Sequence, residues 1–370
     1  LRQNRQVEGF VAELRRLRRF AQSGAGTGQD HMSQKILLTG GAGYIGSHTY
    51  LALAEAGYES LILDNFSNSK PDVPARLEQI TGAPVPVIRG SVLDAALLAR
   101  VFRDHDIAAC VHFAARKAVG ESMARPLDYF ETNVTGLLTL LRAMERAGCH
   151  RLVFSSSATV YGIPDETPTP ETAPRRAMNP YGWTKIASEE MLETMARANP
   201  AWAFGILRYF NPAGAHASSL IGEDPGDRPD NLMPYIARVA AGALPHLQVF
   251  GNDYPTPDGT GVRDYIHVED LARGHVLSLD RLMRGHGGHL VNLGTGQGYS
   301  VLEILEAYSA ACGRDLPHEI MGRRAGDVPI YCARIEKAVA LLGFRAEKGL
   351  ADMCASSWAW VSTDKAKLFT

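Results

Sequence analysis

The chain has 370 residues, 45% of them hydrophobic and 21% charged, with 38 Lys and Arg against 40 Asp and Glu. At about 150 residues per domain this is roughly two to three domains, enough to bury a full core without disulfides or metals. The composition excludes a disordered, coiled-coil or collagen-like chain, and a net charge of −2 gives no electrostatic basis for a nucleic-acid partner.

Residues 1–32 stand apart from the rest. Val7, Phe10, Val11, Leu14, Leu17 and Phe20 recur at helical spacing beside Arg15, Arg16, Arg18 and Arg19, ahead of a Gly-rich stretch and Met32. A targeting helix and a non-native or disordered upstream extension both fit; either way the segment is expected to lie outside the catalytic fold. From Ser33 onward, apolar runs alternate with helical stretches. KILLTG, SLILDN, PVPVIRG, AACVHFA, RLVFSS and FGILRYF read as short buried strands. Strand and helix alternating at this spacing predict a Rossmann-like, doubly wound parallel α/β sheet over residues 33–211. After about Pro212 the rhythm loosens, with Pro and Gly through DPGDRPD and GNDYPTPDGTG. Residues 212–355 are therefore expected to form a smaller, loop-rich α/β region, mainly substrate-binding and interleaved with the first, and residues 356–370 a tail. No apolar run reaches the roughly 18 residues of a membrane span. The cysteines Cys110, Cys149, Cys312, Cys332 and Cys354 form no CxxC pair, which reads as unpaired thiols in a reducing cytoplasm.

Gly40, Gly43 and Gly46 form a GxxGxxG turn between the first strand and a helix. In that context Gly40 permits a tight turn, Gly43 lets backbone approach a pyrophosphate, and Gly46 allows close packing of helix on strand. The helix N-terminus then faces phosphate charge. Asp64 ends the second strand, 18 residues after Gly46. A carboxylate there accepts both adenosine-ribose hydroxyls and repels a 2′-phosphate, so the expected cofactor is NAD rather than NADP. A second cluster, Gly294-Thr295-Gly296-Gln297-Gly298, also follows a strand, but no acidic residue ends a following strand at the required distance. It reads as a structural turn.

Asn179-Pro180-Tyr181-Gly182-Trp183-Thr184-Lys185 opens a long helix, with Asn179 as cap and Pro180 in the first turn. Tyr181 and Lys185, at i and i+4, share one face. A phenol with an ordinary pKa near 10 needs about 4 kcal/mol of help to act as a base near pH 7. A neighbouring ammonium and a cationic nicotinamide are the sources available. Ser157, at the end of RLVFSSS, supplies a hydroxyl to bind the substrate oxygen and relay the proton.

These three elements carry a resemblance. The glycine loop, the strand-end serine and the Tyr/Lys pair are the signature of the extended short-chain dehydrogenase/reductase superfamily. Within it the chain resembles the UDP-glucose 4-epimerase family through TGGAGYIGSHT, LDNFSNS, HFAARKAVGES, FSSSATVYG, NPYGWTK, LRYFNPAGAH, NLMPYIARVA, FGNDYPTPDGTGVRDYIHVEDLA and RRAGDVP. The matching blocks run from about Lys35 to Tyr331. The resemblance implies a homodimeric, cytoplasmic, NAD-dependent isomerase of galactose metabolism that interconverts UDP-galactose and UDP-glucose, with no membrane, nucleic-acid or metal partner. It places Ser157, Tyr181 and Lys185 at the chemistry. Around NAD it places Gly40, Gly43, Tyr44, Ile45, Gly46, Asp64, Asn65, Phe66, Ser67, Asn68, Ser69, Ser91, Val92, Phe113, Ala114, Ala115, Lys117, Thr132, Tyr181, Lys185, Tyr209 and Phe210. Around the UDP-sugar it places Ser157, Tyr181, Asn211, Asn231, Leu232, Phe250, Arg263, Arg324, Asp327 and Tyr331. Two positions depart from the family pattern. Gly90-Ser91-Val92 lacks the Asp that meets the adenine amino group, and Thr132 stands where an Asn often precedes Asn133; looser NAD binding is the expected consequence.

Inverting C4 of a hexose means breaking a carbon–hydrogen bond with no acidifying neighbour, which oxidation to a 4-ketone solves. The ketone must then show its other face, so the sugar is held weakly and the nucleotide strongly, with binding energy remote from the reacting centre. Arg263 and Arg324 suit bidentate contact with phosphoryl oxygens. Related 4,6-dehydratases need an Asp-Glu pair directly after the strand-end hydroxyl; Ala158 and Thr159 stand there and cannot protonate a leaving hydroxyl. A different sugar-nucleotide epimerase, a decarboxylase of the superfamily and a non-catalytic NAD sensor are the alternatives. Tyr331 is expected to border the sugar pocket and leave no room for an N-acetyl group. His112 and His267, near strand ends, read as packing residues.

Overall fold

A computed structural model describes residues 34–224, 231–324 and 327–363 of the chain; the expectation for residues 1–32 falls outside the described residues. Its strands in chain order are β1 (Lys35–Thr39), β2 (Glu59–Asp64), β3 (Val87–Arg89), β4 (Ile107–His112), β5 (Arg151–Ser157), β6 (Ala203–Tyr209), β7 (Asn211–Ala213), β8 (Leu247–Phe250), β9 (Val262–His267), β10 (His289–Leu293), β11 (Gly298–Ser300), β12 (His318–Met321) and β13 (Ile330–Tyr331). Among the described residues the main sheet has seven strands in the order β10-β6-β5-β4-β1-β2-β3. Every neighbouring pair in it runs parallel.

Strands buried on both faces are expected to be near-continuous apolar runs, and these strands are so at most central positions, with Ser60, Arg208 and Asn292 as buried polar exceptions. Side chains alternate across the pleat, so Ile36, Leu38, Ile62, Val111 and Val153 enter one core while Leu37, Leu61, Leu63, Cys110 and Leu152 enter the other. Each such fully buried aliphatic side chain contributes roughly 1.5–3 kcal/mol of transfer free energy. Helices cover both faces: Tyr44–Glu55 and Val268–Met283 pack together on one side, Ala95–Asp104 and Gly136–Arg146 on the other.

The strand order reverses direction between β1 and β4, so their connections leave toward opposite edges and open a crevice at their carboxyl ends. Beyond β6 the chain needs only Phe210 to begin β7, which pairs with β9 in a second sheet together with β11 and β13. The chain then returns to the main sheet as β10. A third core, from Met233, Ile236, Tyr265, Ile304, Tyr308, Met353 and Val361, backs the small sheet.

Two expectations need correction. The region after Pro212 is less loop-rich than its Pro and Gly content suggests: it holds the helices Leu232–Ala241, Val268–Met283 and Val301–Cys312, and the GNDYPTPDGTG stretch is confined to the connection between β8 and β9. Of the tail expected over residues 356–370, residues 356–363 belong to the Leu350–Thr363 helix, which buries Met353, Cys354, Ser357 and Val361, and the rest lies outside the described residues. Three of these are not large aliphatic residues, and this obscured the helix's apolar face. No helix among the described residues is long and apolar enough to cross a membrane.

Candidate active site

The glycine loop lies at the mouth of the crevice. Gly40 has φ +71°, and a Cβ there would lie 2.7 Å from the Ala114 backbone nitrogen, just past the end of β4. A Cβ on Gly46 would lie 2.4 Å from the Gly40 carbonyl oxygen. Gly46 is therefore needed for packing against the loop's own backbone rather than against the strand, a small correction to its expected role. Gly43 caps the Tyr44–Glu55 helix without a side-chain hydrogen bond, so the first N–H groups of that helix point at the loop free of a side-chain acceptor. Phe113 and Ala114 both donate their N–H groups to the Thr39 carbonyl, which fixes the crevice wall between β1 and β4.

Asp64 closes the next edge. One carboxylate oxygen accepts from the Ala42 N–H at 2.9 Å, the other from the Phe66 N–H at 2.8 Å and Ser69 Oγ at 2.9 Å. This arrangement holds Phe66 in a left-handed conformation, φ 58°. Asn65, Ser67 and Asn68 remain exposed on the rim, where Asn65 accepts only from the Ser67 N–H. On the β3 side, Val92 is buried against Gly136 and Ser91 Oγ accepts from the Leu93 N–H. Thr132 lies in a single π-helical turn, Glu131–Thr135, whose next residue Asn133 is buried and bonded to the Arg116 backbone and to Thr184. Tyr44 reaches away from the loop and donates to the Gly214 carbonyl at 2.6 Å.

The reacting groups converge at the end of β5. Asn179 accepts from the Gly182 N–H at 2.9 Å and caps the Pro180–Ala198 helix as expected. This places Tyr181 beside Ser157, whose hydroxyl favours the phenolate and whose Oγ accepts from the Thr159 N–H and hydroxyl. The Lys185 ammonium donates to the Ser155 carbonyl at 2.6 Å and lies 5.8 Å from the Tyr181 ring centre. Burial pushes Lys185 down to about 8, opposed by the Glu189 carboxylate. Burial also raises the Tyr181 phenol, with the Ser157 hydroxyl pulling it the other way. Burial outweighs the Ser157 hydroxyl at the phenol.

The far wall comes from the small sheet. Arg263 on β9 and Tyr331 on β13 are register partners. Arg263 donates to the Val328 carbonyl at 2.8 Å and lies 3.5 Å from Asp327. The Arg324 guanidinium sits over the Phe250 ring, 3.7 Å from its centre. Tyr331 donates its hydroxyl to the Ala158 carbonyl, and its ring lies 5.3 Å from that of Phe210. Between β6 and β7 run Tyr209, Phe210 and Asn211, so the two walls meet there.

Sequence reading missed two acidic residues. Glu223 accepts from Lys117 at 3.1 Å and from Asn231 at 2.9 Å, joining a residue expected at the cofactor to one expected at the nucleotide. Glu189, buried behind β5, binds Arg208, Arg175 and Ser156. Its position four residues beyond Lys185 was the available signal. Two other readings agree with the geometry. The Gly294–Gly298 turn wraps the buried Asp264 carboxylate, which accepts from the Thr295 and Gly296 N–H groups. His112 pairs with Thr39, and His267 with Ser356.

The chain matches the model of the NAD dependent epimerase/dehydratase family over residues 36–294. The UDP-glucose 4-epimerase of Bacillus subtilis (strain 168) is 50% identical over 329 residues, 89% of this chain and 97% of that protein. That of Yersinia pestis is 51% identical over 328 residues, 88% of this chain and 97% of its own. The crystal structure of UDP-glucose 4-epimerase from Stenotrophomonas maltophila with bound NAD and formylated UDP-arabinopyranose aligns at TM-score 0.88 with 48% identity, covering 90% of this chain and 99% of that one. With a parallel sheet, glycine loop and Tyr/Lys helix in the same places that the sequence motifs put them, the chain belongs to the NAD dependent epimerase/dehydratase family.

Proposed function

We propose that the protein interconverts UDP-galactose and UDP-glucose, inverting C4 of the hexose. The observation that carries this reading is the convergence of Ser157, Tyr181 and Lys185 at the carboxyl end of β5, beside a crevice floored by the glycine loop. The Gly40–Gly46 cradle, which a Cβ would fill, and the carboxylate of Asp64 fit NAD. Gly40, Gly43, Tyr44, Ile45, Gly46, Asp64, Ser69, Phe113, Ala114, Lys117 and Lys185 are the residues we assign to it. Ala42, Phe66 and Ser69 take three of the roughly four lone-pair sites of Asp64, so binding both ribose hydroxyls would require one of them, the Ser69 hydroxyl being the most mobile, to let go. NAD, when bound, supplies a reversible hydride acceptor.

Tyr181 takes the proton of the 4-hydroxyl, and Ser157 holds the same oxygen and passes the proton across. The Lys185 ammonium favours the phenolate from one helical turn away. The 4-keto sugar then turns, and Tyr181 returns the proton once the opposite face is presented. Turning requires few contacts to the sugar and many to the nucleotide. Arg263, Arg324, Asn211, Asn231 and Asp327 are assigned to the diphosphate and uridine, with Phe250 beside the base. Ala158 and Thr159 offer no acid for eliminating water, so the chemistry stops at epimerisation.

A reducing cytoplasm is supported by five free cysteines. A second copy of the chain as partner is supported by Met123, Leu127 and Phe130, exposed apolar side chains on adjacent short helices. Purified protein given UDP-galactose alone should yield UDP-glucose with no added cofactor. A requirement for stoichiometric oxidant would show a dehydrogenase instead.

A further inference from the structure

Three residues one turn apart on a single helix address three consecutive residues of β5. Tyr181 lies beside Ser157, Lys185 donates to the Ser155 carbonyl at 2.6 Å, and Glu189 accepts from Ser156 Oγ at 2.5 Å. Positions i, i+4 and i+8 lie along one helical face, so the helix and the strand are joined rung by rung. The first two rungs belong to the reacting constellation; the third lies behind it and faces no solvent.

Glu189 is fully buried, and its charge is matched with care. Arg208, from β6, donates from Nε to one carboxylate oxygen at 2.9 Å and from Nη2 to the other at 2.6 Å. Arg175 adds a third contact at 3.2 Å. Replacing such buried ionic groups by apolar ones is often neutral or stabilising, so fold stability alone does not account for them. Lys185 is the opposite case. Among the described residues no carboxylate pairs with it directly; its ammonium meets a carbonyl oxygen and the rings of Phe154 and Tyr181. The charged and titratable groups around this cluster are His112 from β4, Tyr161 just after β5, Arg208 and Tyr209 from β6, Glu171 and Arg175 from the preceding loop, Glu189 itself, and Glu190 and Glu193, which hold the outer side of Arg175. Of these, Glu189 is the one whose charge supports the Lys185 ammonium.

We propose that Glu189 is a positioning residue for this reaction: it fixes the register of β5 against the Tyr181 helix through Ser156, and its charge offsets the burial of the Lys185 ammonium. Arg208 and Arg175 hold the carboxylate in place. The inference rests on Tyr181 and Lys185 being the reacting pair.

The test compares kcat against pH for the holoenzyme and its Glu189→Gln variant, with UDP-galactose as substrate. The amide keeps the size and an acceptor for Ser156 but removes the charge. The alkaline limb of the profile should move down by about one pH unit, which is roughly a tenfold loss of kcat near pH 9 and a much smaller loss near pH 6.5. KM for UDP-galactose should stay within about twofold, because Glu189 touches no nucleotide-binding residue. A residue that only supports the fold would scale the profile evenly or lower Tm alone, and an unmoved limb overturns the inference. If Glu189→Gln fails to fold, Glu189→Leu with Arg208→Met removes the pair together and carries the same expectation. A fully active Tyr181→Phe would remove the underlying site assignment. An inactive Tyr181→Phe beside an unmoved Glu189→Gln profile would remove this inference alone.

Discussion

The guanidinium carbon of Arg324 stands 3.7 Å above the centre of the Phe250 ring. Stacked there, the side chain keeps its N–H fork free to face outward, and the ring pre-orders a long flexible cation at little entropic cost. Arg324→Ala should remove both the phosphate contact and the stacking surface, about 2 kcal/mol together, or roughly thirtyfold in KM for UDP-galactose. Because the contact is remote from C4, kcat should change by no more than about twofold. Steady-state kinetics check both numbers, and a fall in kcat with KM unchanged would place Arg324 elsewhere.

Tyr181→Phe should lower kcat by roughly 10² to 10⁴ while the protein keeps its cofactor and its Tm. The ring and its place above Lys185 are retained, so only the proton carrier is lost. Absorbance of the purified variant reports cofactor content, and UDP-glucose formation reports turnover.

Substrate range is the expected consequence of Tyr331 in the proposed sugar pocket. Its hydroxyl donates to the Ala158 carbonyl, which pins the ring against Phe210 next to the reacting strand. The parent protein should discriminate against UDP-N-acetylglucosamine, and Tyr331→Cys should raise its turnover at least about tenfold, as expected when a pocket gains room for one small group. Loss of the Phe210 contact should cost about 2 kcal/mol of stability, visible as a lower Tm. Equal turnover of both substrates by the parent would show that Tyr331 is not the pocket wall.

Acid should destabilise the protein early. Burial holds His48 and His112 down to about 3, and His267, His275 and His289 down to about 4. In the unfolded chain each binds its proton near 6.5. Between those values the unfolded state carries more protons, so stability rises with pH there and is lost as pH falls below about 6.5. Each histidine can cost about 1–2 kcal/mol by pH 5. The urea midpoint should therefore drop clearly between pH 7 and pH 5; an unchanged midpoint would mean these rings are not held neutral.

The parallel sheet was legible because its strands are mostly apolar at their centres and several are followed by glycine or end in serine or carboxylate, residues that a two-faced core rejects. The glycine loop and Tyr181/Lys185 were legible because local spacing alone brings their members together. Glu223 was not: it joins Lys117, 106 residues before it, to Asn231, and no local pattern encodes that meeting. Glu189 lay in plain view at the next turn after Lys185, but its role depends on Arg208 arriving from a neighbouring strand. The Leu350–Thr363 helix was read as a tail because cysteine, serine and methionine form much of its buried side.

Phe210 is the only residue between the last reacting-side strand and the first strand of the nucleotide wall, and β10 carries the chain back again. With β11 entering the second sheet again after β10, the chain passes between the two halves at least three times, which disfavours a clamshell opening. Under the proposed mechanism the hexose would then pivot on its pyrophosphate stem between walls that keep their places. What such an enzyme has to preserve through evolution is an empty space in front of C4 as much as any side chain around it.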